Sequence, residues 1–220
     1  MSFTDRLPPN LDPPDPESPR GRILDAARKL FAERGFEASS VRAIAEAATV
    51  NLAMVNYYYG SKDILYRRVV AQQFLSMLRD LASGLPDDLT PREAILGQSR
   101  RMLNVIRRHP DWVRLVKREI SDGGDRLQRV LLELGDQGPL GAMGQLIGIS
   151  QDAVAAGEIR PLPPVVVVEF LLSLSYGLMF MCPVFQLFTG ADFSDDRVWE
   201  NRLDAFESIL RHGLQTGEAR

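Results

Sequence analysis

Residues 39–63 read SSVRAIAEAATVNLAMVNYYYGSKD, and no other stretch restricts the fold as much. The apolar residues Val41, Ile44, Ala48, Val50 and Val55, with small Ala45, are spaced for two short helices that cross steeply through a tight turn. The first helix is expected over about residues 40–47, capped by Ser39 or Ser40, whose hydroxyl can accept from first-turn N–H groups. Ala48-Thr49-Val50 forms the turn, and the second helix starts near Asn51. Asn51, Leu52, Ala53, Asn56 and Tyr57 are then left facing outward. A face with Asn and Tyr and no acid is one that a DNA groove can accept. An ordinary helical hairpin satisfies the same spacing.

Charge separates the two readings a little. The chain carries a formal −3, which argues against indiscriminate nucleic-acid binding, but the distribution is uneven. Residues 20–68 hold nine Lys and Arg against five Asp and Glu, whereas residues 1–19 and 69–220 are both net acidic. The basic excess coincides with the helical pair and suits phosphate contact.

The 220 residues, 45% of them hydrophobic, suffice for one or two domains with a sizeable core. Six prolines among residues 1–19, with acids and few apolar groups, mark a segment that cannot bury enough surface to fold, and residues 1–18 are expected to be a disordered arm. It lacks the apolar core of a signal peptide. Ser18-Pro19 begins a helix whose stripe is Ile23, Leu24, Ala27, Leu30 and Phe31 and whose stop is Gly35. Packed on the hairpin, it completes a three-helix unit. Ser61 caps the next helix, Asp63 complements the positive end of its dipole, and Lys62 lies beside exposed N–H groups where a phosphate could sit. At ~20 residues that helix spans ~30 Å, enough to link two domains.

Further along, Thr90-Pro91-Arg92-Glu93 reads as a capping box, and Pro110 opens another helix carrying Trp112, Leu115, Val116 and Ile120. Residues 125–156 are helical with an interruption at 135–139. The run VVVVEFLLSLSYGLMFMCPVFQLF, residues 165–188, resembles a membrane span in hydropathy. Glu169, Gln186 and Pro183 inside it, and the lack of a basic flank, favour instead a helix buried on all sides with Pro183 cutting it short. One subunit rarely covers a helix so fully. With a last helix carrying Trp199, Leu203, Phe206, Ile209 and Leu210, it would make half of an intersubunit four-helix bundle, using about residues 165–182 and 196–214.

No catalytic constellation is visible. His109 and His212 are far apart in sequence, no metal-ligand spacing or nucleophile elbow occurs, and Arg118 and Glu119 read as pocket groups or as a surface pair. Cys182, the single cysteine, excludes an intramolecular disulfide and reads as a small hydrophobe. Neither an enzyme nor a cofactor or metal site is expected.

Arg22-Ile23-Leu24-Asp25-Ala26-Ala27, Leu30-Phe31, Gly35-Phe36, Ser40-Val41-Arg42, Ile44-Ala45, Ala48, Val50 and the segment Tyr57-Tyr58-Tyr59-Gly60-Ser61-Lys62-Asp63-Ile64-Leu65 closely resemble the N-terminal domain of the TetR family of bacterial transcriptional regulators, over about residues 20–66. The resemblance implies a cytoplasmic homodimer that binds a palindromic duplex operator, usually as a repressor, and is released by a small molecule bound in its C-terminal domain. By position, Ser40 and Arg42 would touch phosphate, Asn51, Leu52 and Ala53 would approach bases or phosphates, and Tyr57, Tyr58 and Lys62 would hold the backbone. Two departures stand out: Thr49 replaces the usual turn glycine, costly if φ is positive, and Asn56 replaces a usual tyrosine. Asn56 can pair bidentately with adenine.

The expected architecture is therefore all-α. A helix-turn-helix DNA-binding domain at residues 19–66 precedes a larger helical effector-binding and dimerisation domain at 67–220. Candidate lining residues for the unidentified small-molecule effector are Met102, Ile106, Trp112, Tyr176 and Phe180. An effector-independent DNA-binding or protein-interaction module is the alternative.

Overall fold

A computed structural model of the chain describes residues 13–82, 88–135 and 139–215. Among them there is no strand, and the elements in order are α1 (Pro19–Ala38), α2 (Val41–Ala47), α3 (Leu52–Tyr59), α4 (Lys62–Ala82), α5 (Pro91–Arg108), α6 (Pro110–Ser121), α7 (Asp125–Glu133), α8 (Pro139–Ala155), α9 (Pro164–Thr189) and α10 (Asp196–Gly213). The helices form two compact units, one of residues 1–79 with 109–140, the other of 80–108 with 141–220.

In the first unit α1 packs along α6 and against α2 and α3. Ser18 caps α1 through Gly21 N–H (3.0 Å), with proline next, as the sequence requires. Most of the proline-rich arm lies outside the described residues. Residues 13–18, expected to lack fixed structure, instead include a turn held to α1: Ser18 N–H donates to the Asp15 carbonyl (3.0 Å) and Arg22 to the Glu17 carbonyl (2.8 Å). The turn presses so closely that a Cβ on Gly21 would lie 2.0 Å from the Asp15 oxygen. α1 breaks at Gly35 (φ 80°, ψ 177°), a backbone open to glycine, and runs one further turn to Ala38. The carbonyls orphaned by the break are taken by other groups: Arg118 from α6 donates to those of Ala32 and Glu33, and the Ser39 hydroxyl to that of Gly35 (2.7 Å). Arg28 of α1 pairs with Asp111 of α6.

α6 buries Trp112, Leu115, Val116 and, one turn on, Glu119, while Ile120 is exposed. The apolar stripe expected to end at Ile120 therefore ends on a carboxylate. Arg118 and Glu119 do not pair with each other: Arg118 caps α1, and Glu119 turns inward.

The second unit has its core where Ile95, Leu96 and Leu103 of α5 meet Val167 and Leu171 of α9 and Trp199, Leu203, Phe206 and Leu210 of α10. The capping box of α5 is complete: Thr90 N–H donates to Glu93 Oε2 (3.0 Å) and Glu93 N–H to Thr90 Oγ1 (3.3 Å). Trp199 donates its indole N–H to Asn104 Oδ1 (2.7 Å). Arg107 and Arg202 lie over its ring, at 5.0 and 5.9 Å.

One expectation for α9 does not hold. Pro183 does not end the helix, which runs on to Thr189 and closes on Gly190. The proline removes one bond, to the carbonyl four residues back, and the bonds on either side carry the helix through it. Within one protomer α9 is covered along one side. Val167, Val168, Leu171 and Ser175 are covered, but only 22% of its most apolar 18 residues are buried within the protomer, although its length and composition would suffice to cross a membrane. Val166, Phe170, Met181, Val184 and Phe188 recur at spacings of three, four and seven or more along an uncovered face. On α10, Ile209 is likewise outside the buried stripe.

Candidate DNA-binding interface

The helical pair forms as its spacing dictates. Ser40 caps α2, its Oγ accepting from Ala43 N–H (3.1 Å), and Ile44, Ala45 and Ala48 are buried. Asn51 caps α3, its Oδ1 accepting from Ala53 N–H (2.9 Å). Between them Val50 N–H reaches back to the Ala45 carbonyl (3.0 Å), and Arg22 Nε donates to the Ala48 carbonyl (3.3 Å), tying the turn to α1. Thr49 takes φ 53°, the left-handed region that its β-branched side chain resists. α3 is anchored from beneath by Val55 and by Tyr59, whose hydroxyl donates to the Arg20 carbonyl (2.8 Å). Burial pushes the Tyr59 pKa up, so this donor stays protonated.

The opposite face of α3 is open. Leu52 is 44% exposed and Tyr57 82%, and Ala53 and Asn56 are exposed between them. Tyr57 and Tyr58 meet edge to face at 5.1 Å. No residue of α3 is charged. On α2, exposed Arg42 pairs with Glu46 (3.2 Å).

Ser61 caps α4 as its position suggests, accepting from Ile64 N–H (3.2 Å). Lys62 is drawn back toward α1: its Nζ donates to the Glu37 carbonyl (3.3 Å) and lies 4.3 Å from the centroid of Phe36. Phe36 also carries Arg126 of α7, at 4.6 Å, and meets the edge of Tyr66 at 5.1 Å. Beneath this cluster the Tyr66 hydroxyl donates to buried Glu119 Oε1 (2.5 Å), whose Oε2 accepts from Leu127 N–H (3.3 Å). Arg126 Nε stands 3.5 Å from Glu119, a charge contact rather than a hydrogen bond. Burial first, and then the bond to Glu119, push the Tyr66 pKa far above the ordinary phenol range. The sequence carries one sign of this network: Glu119 stands three residues after Val116, in step with the buried stripe.

The five effector-site candidates are divided between the two units. Met102, Ile106, Tyr176 and Phe180 belong to the second unit, where the first two are buried and the last two are half-buried rings 5.8 Å apart. Trp112 belongs to the first unit, 5.5 Å from Phe74. A cleft of about 690 Å³ in the second unit is lined by other residues, among them Arg100, Arg101, Asn104, Arg107, Arg108 and Glu200. Among the described residues no group of His, Cys, Asp or Glu is placed to hold a metal ion.

Residues 23–69 match the family described as bacterial regulatory proteins, tetR family. Residues 23–69 are thus a helix-turn-helix domain of the TetR type. Relatives extend along most of the chain's length. The chain is 26% identical over 193 residues to the HTH-type transcriptional regulator RutR of Escherichia coli (strain K12), covering 88% of this chain and 89% of RutR. It is 27% identical over 143 residues to the HTH-type transcriptional repressor NicS of Pseudomonas putida (strain KT2440), 65% of each chain. Its fold is similar to that of the ketosteroid transcriptional regulator KstR2 of Mycobacterium tuberculosis, with a TM-score of 0.68, 17% identity, and coverage of 91% of this chain and 97% of KstR2.

Proposed function

We propose that the chain is a dimeric, DNA-binding repressor that holds a palindromic operator and leaves it when a small molecule binds. The observation that carries this reading is the open, charge-free face of α3, set on a helix pair anchored by Ile44, Ala45, Val55 and Tyr59. The arrangement suits a recognition helix in a major groove, with Ser40, Arg42, Tyr57, Tyr58 and Lys62 at phosphates and Asn51, Leu52, Ala53 and Asn56 toward bases. In this reading residues 19–66 read DNA, and residues 67–220 bind the effector and dimerise. Repression is supported by the relative named as a repressor. Lys62 would leave Glu37 and Phe36 for a phosphate on binding.

The dimer is supported by the uncovered apolar face of α9, which a second copy of α9 and α10 about a two-fold axis would cover. The protein would then act in the cytoplasm as a switch rather than a catalyst. An effector needs differential affinity for the DNA-competent state, and a coupling of ~1–3 kcal/mol changes operator affinity about 5- to 150-fold.

Footprinting of genomic fragments with the purified full chain tests the proposal. A protected site with two half-sites about one helical turn apart, or a multiple of it, is expected. Calorimetry against a metabolite panel should find a ligand that lowers protection. Protection that no ligand alters would leave an effector-independent DNA binder, and no protection anywhere would refute the DNA-binding reading.

A further inference from the structure

The side chains on the reading face of α3 differ in what they have left to offer. Asn51 spends its amide oxygen on Ala53 N–H (2.9 Å). Asn56 sits one turn further on, and its side chain hydrogen-bonds to nothing among the described residues, while its backbone carbonyl accepts from Gly60 N–H (2.8 Å) as helix closure requires. Its amide is thus free to present oxygen and NH₂ together. The rest of the face is apolar or phenolic: Leu52, Ala53 and Tyr57.

Cations are what this face lacks. The commonest specific contact to guanine is Arg or Lys bidentate to O6 and N7, and α3 has neither. The nearest cations in sequence, Arg42 on α2 and Lys62 on α4, lie outside α3 and in the reading above go to phosphates. A free amide, by contrast, matches adenine, whose N6–H donates to Oδ1 while N7 accepts from Nδ2. Exposed aliphatic groups match the thymine methyl. Leu52 and Ala53 precede Asn56 by four and three residues, about one turn of ~5.4 Å, against a rise of ~3.4 Å per base pair. The aliphatic and amide contacts therefore fall one to two base pairs apart.

We infer that the α3 face selects A·T pairs within each half-site, Asn56 reading an adenine and Leu52 with Ala53 packing on thymine methyls one to two pairs away. This rests on the DNA-binding reading above and specifies the sequence class it takes. Discrimination lies in the amide and the methyl contacts, while Tyr57 and Tyr58 hold the backbone.

Selection from a randomised duplex library with the full chain, followed by single-atom changes in the enriched half-site, tests this. The enriched half-site should carry A·T pairs at two positions within two base pairs of each other. Replacing the read adenine by 7-deazaadenine removes N7 and should weaken wild-type binding about tenfold, the order of one lost bidentate partner, but leave Asn56→Ala unaffected. Replacing the thymines by uracil removes only methyls and should weaken the wild type about threefold and Leu52→Ala much less. A thermal melt followed by circular dichroism, matching wild type for both variants, excludes misfolding as the cause. Enrichment of G·C at these positions, or an equal 7-deazaadenine penalty in wild type and Asn56→Ala, overturns the inference and leaves DNA binding standing. If no sequence is enriched and no duplex is retained even at low salt, the DNA-binding reading fails and this inference with it.

Discussion

Thr49 holds the helix-turn-helix turn in a conformation its own side chain opposes. At φ 53° a β-branched residue incurs roughly 1–2 kcal/mol, part of which glycine would return as unfolded-state entropy. Thr49→Gly should therefore raise stability by about 0.5–1 kcal/mol, visible as a higher denaturant midpoint at unchanged slope. A lower midpoint would mean that the threonine side chain makes a compensating contact. Tyr66 gives the opposite case, a residue whose environment favours the protonated state it holds. Its folded pKa lies above the ordinary value of 10.0, so the unfolded chain releases the proton first as pH rises. Stability is then fully present below pH 10 and falls above it, by up to about 1.4 kcal/mol per pH unit. Tyr66→Phe should abolish that component and, by leaving buried Glu119 without its hydroxyl donor, cost ~1.5–3 kcal/mol at neutral pH. Urea titrations at pH 8, 10 and 11 separate the two effects.

The elements were legible in the sequence to the extent that they are determined locally. Ser18, Ser40 and Ser61 cap the helices their positions suggest, and Thr90 and Glu93 form the reciprocal pair their spacing describes, because a cap joins residues two or three apart. What depends on distant partners was not legible. Helical period shows which face of α6 is buried, yet not that Tyr66, 53 residues away, makes a carboxylate acceptable there. Met102, Ile106 and Trp112 are apolar and buried, but burial alone does not say which of them borders a ligand. Pro183 shows the limit of a local stop signal, since a helix supported on both sides absorbs one missing bond. Asn51 offers a test at this scale because its cap and its place on the reading face can be separated. Asn51→Ala should destabilise by ~1 kcal/mol through the lost cap, and Asn51→Ser should recover most of it. If Asn51→Ser regains stability but not operator affinity in a gel-shift titration, the amide also touches DNA; if it regains both, capping is its whole contribution.

At the scale of the molecule the open question is what covers α9. Phe170 is 55% exposed and Phe188 78%, on a helix whose most apolar window is mostly uncovered by its own chain. An apolar stripe this continuous on a DNA-binding regulator calls for a partner surface, and a two-fold axis would let α9 cover its own copy. A dimer would also let a reading helix of eight residues reach useful affinity, since joining two half-sites makes the second contact intramolecular. Phe170→Glu places a charge at the middle of that stripe. Burying it unpaired would cost several kcal/mol, so the dimer dissociation constant should rise at least a hundredfold, which sedimentation velocity at micromolar concentration would register as monomer. Helix content should be unchanged, because Phe170 lies outside the core of its own subunit. Affinity for a palindromic operator should fall with the dimer, whereas affinity for an isolated half-site should not. A variant that remains dimeric would place the interface elsewhere and leave α9 exposed for another partner.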